Sequence, residues 1–257
     1  MICDSHGHLQ MLSDGEREQA IARARDAGVE KILVPGTTVE DSRRAVDVAE
    51  AHDGVFAAVG MHPHEAKDFD ADRDLEIFGQ LLRSAKAVAV GEIGLDFHYD
   101  HSPRDAQMRA FLAQLVFAGE RRLPVLLHNR ESGEAMLEAL EAQPARPDPG
   151  VFHSFTEDAG YGARAIALGY RISFSGMLTF KAAENIRAAA RALPLSEMLV
   201  ETDAPFLAPE PHRGKRCEPA FVVETARRLA AIKNVPFEEV EAATTSNFDA
   251  LFARRTP

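Results

Sequence analysis

The sequence predicts an α/β protein folded as a (β/α)8 TIM barrel, and three observations carry that expectation. Eight short apolar runs alternate with longer amphipathic stretches along all 257 residues, the pattern of parallel strands joined by helical crossovers. No break in composition divides the chain, so one domain over residues 1–257 is expected. Six of the eight runs end in His, Glu or Asp, at the end where such barrels carry their chemistry.

The elements follow in order. Strands are expected at residues 2–4, 31–35, 55–59, 87–92, 124–128, 150–153, 171–175 and 198–203. Each is built on a short apolar run. Between them, helical patterns occupy 15–27, 39–52, 75–84, 103–121, 132–142, 158–168 and 182–193, and two more, 218–233 and 237–252, follow the last strand. A doubly wound open sheet is the structural alternative, but no GxGxxG follows the first strand. The Pro-rich stretch 144–150 lies between a helix and a strand and is expected to be a surface loop rather than a linker.

Composition narrows the function classes. Apolar residues make up 46% and charged residues 27%, as in an ordinary globular protein. No run approaches the roughly 18 apolar residues needed to cross a bilayer, and no basic segment followed by an apolar one marks a secretory signal. Cys3 and Cys217 cannot form a disulfide framework, so a reducing cytoplasm is expected, with no membrane or obligate protein partner. Lys and Arg total 29 against 40 Asp and Glu, a formal charge of −11, which disfavours a module that coats nucleic acid. That balance still permits an enzyme that takes one phosphodiester end into a metal-lined pocket.

The strand ends supply the candidate chemistry. Asp4-Ser-His6-Gly-His8 closes the first run; by strand alternation Asp4, His6 and His8 share one side, successive members about 6–7 Å apart. Glu92, His128, His153 and Asp203 close the fourth, fifth, sixth and eighth. Buried singly, such groups would be costly; coordination of a cation removes the cost. Six ligands, His6, His8, Glu92, His128, His153 and Asp203, exceed the three protein ligands usual for one catalytic zinc. They suit two divalent cations about 3.5–4 Å apart, with Glu92 as the bridge. Four imidazoles lean towards Zn or Mn, while phosphodiester chemistry often uses Mg.

On the last run, alternation sets Glu201 beside Asp203. Asp203 is expected to take a proton from the attacking water, and Glu201, one pleat deeper, to orient a ligand. The loop 209–218 contains Arg213, Lys215 and Arg216, the one dense basic spot in an acidic chain, and suits an anionic group such as phosphate. His62 and Arg130 are further candidate phosphate contacts. His98 and His101 are expected in solvent, and His52 and His64 carry no functional signal.

The residues resemble the TatD family of metal-dependent deoxyribonucleases. The similarity runs through Asp4-Ser-His6-Gly-His8, Gly60-Met-His62-Pro63, Gly91-Glu92-Ile-Gly-Leu-Asp96, Tyr99-Asp-His-Ser-Pro-Arg104 and Leu123-Pro-Val-Leu-Leu-His128-Asn-Arg130. It continues through Ser175-Gly-Met-Leu-Thr-Phe180, Glu201-Thr-Asp203-Ala-Pro-Phe-Leu207 and Arg213-Gly-Lys-Arg216. The resemblance implies an amidohydrolase-type barrel, a divalent-metal centre on the same six ligands, and hydrolysis of DNA from its 3′ end. Three positions depart from the family pattern: Glu157 after the sixth strand, Cys217 after the basic loop and Ala250 near the end. These bear on the substrate rather than on the metal core. The leading expectation is a two-metal 3′–5′ exonuclease on DNA ends; the alternative is an amide, ester or lactone hydrolase of the same superfamily. A metal-dependent binding protein is the third, opposed by Asp203 beside the cluster.

Overall fold

The computed structural model describes residues 1–99, 101–146 and 149–252. Eight parallel strands pair in chain order: β1 (Ile2–Asp4), β2 (Val29–Pro35), β3 (Val55–Val59), β4 (Ala87–Asp96), β5 (Val125–Arg130), β6 (Gly150–Phe152), β7 (Arg171–Phe174) and β8 (Met198–Val200). The ring closes just beyond β1 and β8, where Ser5 N–H donates to the Val200 carbonyl at 3.1 Å and Gly7 bridges Ala204 in parallel. This is the (β/α)8 TIM barrel.

The crossovers are α1 (Asp14–Asp26), α2 (Val39–Ala51), α3 (Ala71–Leu81), α4 (Arg104–Glu120), α5 (Gly133–Glu141), α6 (Ala159–Ala167) and α7 (Glu184–Ala192), followed by α8 (Val222–Lys233) and α9 (Phe237–Phe252). Side chains fix several starts. Thr38, Asp70 and Asp158 accept the N–H of Asp41, Arg73 and Tyr161 at 3.0, 3.0 and 2.8 Å, relieving orphan donors of α2, α3 and α6. The Asp70 cap explains why α3 begins four residues before the expected 75: its first turn is polar and shows no apolar period. Among the described residues no helix is long and apolar enough to cross a membrane.

Alternation along the strands separates two cores. Ile2, Ile32, Val34, Val125, Leu127, Met198 and Val200 pack outward under the helices. Their neighbours Cys3, Leu33, Ala58, Leu126, Val151 and Leu199 fill the inside, where Phe248, Leu251 and Phe252 of α9 join them. His128 stands two residues beyond Leu126, and His153 two beyond Val151, so both continue the inward row to the C-terminal mouth.

The largest departures from the expected strand ends are in β4 and β8. β4 runs on to Asp96 rather than stopping at 92, because Ile93–Asp96 pair with Leu127–Arg130 of β5. Their register slips between Val90 and Ile93, around Gly91 and Glu92. Glycine is required at 94, where φ is +143° and a Cβ would stand 2.0 Å from the His128 carbonyl oxygen. β8 stops at Val200, three residues short of the expected 203; Asp203 itself adopts φ +59°, outside any strand. Of the expected loop 144–150, residues 147 and 148 lie outside the described residues.

Candidate metal centre

The mouth of the barrel gathers His6, His8, His62, Glu92, His128, His153 and Asp203 from the segments after β1, β3, β6 and β8 and from β4 and β5 themselves. The two oxygens of Glu92 face different groups. Oε2 lies 3.3 Å from His6 Nε2 and 3.8 Å from His8 Nε2, and Asp203 Oδ1 closes that side at 3.8 and 3.5 Å from the same nitrogens. Oε1 lies 2.8 Å from His128 Nδ1, 2.9 Å from His153 Nε2 and 3.4 Å from His62 Nε2. All six residues expected as ligands therefore meet in one cluster.

Their spacing fits a cation. Two imidazole nitrogens on one tetrahedral ion lie roughly 3.4 Å apart. His6 Nε2 and His8 Nε2 are 3.3 Å apart, and so are His128 Nδ1 and His153 Nε2. His6 Nδ1 and Glu201 Oε2 are buried without a hydrogen-bond partner among the described residues.

The electrostatics point the same way. Burial opposes the charge on Glu92, yet His153, His62 and His6 hold its carboxyl well below the usual range. Burial likewise opposes the charge on His153, but Glu92 and Glu201 raise it well above an ordinary histidine. Asp203, against its burial, is held low by His8 and then His6, so it is ionised at neutral pH. Such a knot of buried carboxylates and imidazoles marks a functional site.

Outside the cluster, carboxylates orient the rings. Glu201 Oε1 sits 3.2 Å from His153 Nδ1 and accepts the Ser154 N–H at 2.8 Å. Asp96 Oδ2 sits 3.0 Å from His128 Nε2 and 2.8 Å from His64 Nε2, while its Oδ1 accepts the N–H groups of His98 and Tyr99. With one nitrogen of each ring held from behind, the other faces the pocket. Asp96→Ala should weaken metal affinity about 10–100-fold without unfolding the barrel, measured by competition with a chelating dye. The sequence marks neither Asp96 nor His64 for this place, because the two residues are 32 apart and meet only through space.

Asp4 departs from expectation. β1 ends at Asp4, so strand alternation does not extend to His6 and His8. Asp4 instead accepts the N–H of His6 and Thr202 at 3.3 and 2.9 Å and the Thr202 hydroxyl at 2.5 Å. Burial pushes its carboxyl up to about 8. It ties the ends of β1 and β8 together instead of facing the pocket.

The expected phosphate contacts divide. His62 is inside the cluster: its Nδ1 accepts the His64 N–H at 3.1 Å, and burial lowers its pKa to about 4. A neutral ring so held carries its proton on Nε2, aimed into the pocket. Arg130 is at the rim, its guanidinium over the Tyr99 ring at 4.7 Å. The basic loop is not drawn into the cluster. Arg213 donates to the Ala208 carbonyl at 2.7 Å and lies over Phe180, Arg216 pairs with Glu16, and Lys215 is exposed. Glu157 is half-buried and accepts the Asn129 amide at 3.1 Å, and burial raises its carboxyl above the usual range.

The model of the family described as TatD related DNase matches residues 3–253. The chain belongs to that family. The metal-dependent hydrolase YabD of Bacillus subtilis is 38% identical over 253 residues, which cover 98% of this chain and 99% of YabD. Its counterpart YcfH of Escherichia coli K12 is 36% identical, over 98% and 95% of the two chains. Among solved structures, the TatD homologue YjjV of Escherichia coli superposes with a TM-score of 0.92 at 33% identity, over 99% of this chain and 98% of that one. Family relatives thus carry the name of metal-dependent hydrolases, and the donors assembled here are those such an enzyme uses.

Proposed function

We propose that the chain acts as a single-domain phosphodiesterase, a TatD-type deoxyribonuclease that shortens DNA from its 3′ end with two divalent cations. One observation carries this reading: the other five donors divide about the two oxygens of Glu92, so that one carboxylate serves both halves of the site. His6, His8 and Asp203 would hold one cation, His128 and His153 the other, with Glu92 between them. Such ions supply Lewis acidity towards a phosphoryl group and lower the pKa of water.

The protein's own groups do the rest. Asp203, ionised at neutral pH and on a fixed turn, accepts the proton of the attacking water. His62 donates its Nε2–H to a phosphoryl oxygen as charge builds there. Glu201 and Asp96 keep His153 and His128 aimed inward. Arg130 at the rim and Lys215 in the basic loop meet the neighbouring phosphates, with Arg213 pinning that loop against Phe180. Cytoplasmic nucleic-acid ends are the natural supply of such a substrate.

The test is direct. The purified protein is incubated with labelled single-stranded DNA and with simple esters, each with and without chelator. The proposal predicts chelator-sensitive shortening from the 3′ end. Ester turnover with intact DNA would transfer the weight to a small-molecule hydrolase, the reading that the −11 charge favours.

A further inference from the structure

Met1, Met11, Tyr99, Val116 and Phe206 are large apolar side chains left exposed among the described residues. Met11, Tyr99 and Phe206 follow β1, β4 and β8, all at the end of the barrel that holds the metal centre. Phe206 is the most open of these three, with 51% of its surface in solvent. It is not on a loose tip. Its N–H donates to the Asp203 carbonyl at 2.8 Å, which places the ring on the same turn as the carboxylate. The ring meets His8 edge-on, with centroids 6.2 Å apart and planes at 74°. His8 N–H in turn donates to the Ala204 carbonyl at 2.7 Å, and Met11 N–H to the His8 carbonyl at 3.1 Å. Asp203, Phe206, His8 and Met11 thus form one stitched segment of rim.

Four strands away round the ring, the Tyr99 side is different. Arg130 lies over the Tyr99 ring at 4.7 Å, and the His101 ring is nearly parallel to it at 5.4 Å. That side presents a cation and a ring already stacked. Phe206 is the open aromatic face beside the candidate metal ligands.

We propose that Phe206 is the stacking wall for an unpaired base at the end of a nucleic-acid strand, with Met11 flanking it. This rests on the phosphodiesterase reading above and adds a base subsite to it. A nucleobase has flat apolar faces and polar edges, so an exposed ring can hold it without reading its identity. A base still stacked and paired within a duplex cannot reach such a wall. The subsite therefore selects single-stranded or frayed ends of any sequence.

The test uses the metal-loaded protein and a short single strand with 2-aminopurine at the terminal position and a non-hydrolysable last linkage. Stacking quenches 2-aminopurine fluorescence. Wild type and Phe206→Tyr should quench it; Phe206→Ala should not. On a cleavable strand, Phe206→Ala should raise KM about fivefold or more, with kcat within about twofold, and the rise should vanish when the terminal base is removed. Unchanged quenching and KM in Phe206→Ala, while wild type cleaves DNA, would overturn the base wall and leave the phosphodiesterase reading standing. An equal KM rise on the abasic strand would overturn it too, because the ring would then act through the rim rather than the base. Wild-type protein that turns over esters but cleaves no strand would sink both.

Discussion

Glu92→Gln will lose both metal and turnover, with kcat/KM falling about a thousandfold or more. The substitution keeps size and shape but turns one carboxylate oxygen into an amide donor. That group would face either His6 and His8 or His128 and His153, and could no longer serve both. The barrel should survive, because Gln keeps the packing and the facing imidazoles can lose their protons once the carboxylate charge is gone. Metal content by elemental analysis, alongside circular dichroism, reads the two effects separately. Folded Glu92→Gln that keeps its full metal complement would show that Glu92 does not join the two halves of the site.

Asp203→Asn should behave differently. His6, His8 and Glu92 remain to hold a cation on that side, so metal binding weakens without being lost. The proton acceptor is gone, and kcat should fall by about 10²–10⁴ with KM little changed. Steady-state kinetics at saturating metal make the measurement. A variant that loses only affinity for metal, and recovers wild-type kcat once loaded, would reduce Asp203 to a ligand.

The candidate ligands are legible because they stand at or just past the ends of five apolar runs, which a barrel brings to one mouth. His128 and His153 follow from simple alternation past Leu126 and Val151. Asp203 is expected from alternation along the last run, but β8 ends at Val200, and a left-handed residue rather than a strand position sets its carboxylate beside His6 and His8. Asp4 misleads for the converse reason, since its strand stops at Asp4 itself. The His64–Asp96–His128 chain left no sign, because its members come from separate elements and meet only when β4 extends along β5. Arg213 is expected to meet phosphate, and nothing in the sequence shows that Phe180 and the Ala208 carbonyl engage its guanidinium.

Anomalous diffraction from crystals of protein purified without chelator tests the two-cation site directly. Two metal peaks about 3.5–4 Å apart, one beside each oxygen of Glu92, are the expected result. A metal-loaded crystal with a single peak, or with peaks remote from Glu92, would contradict the account.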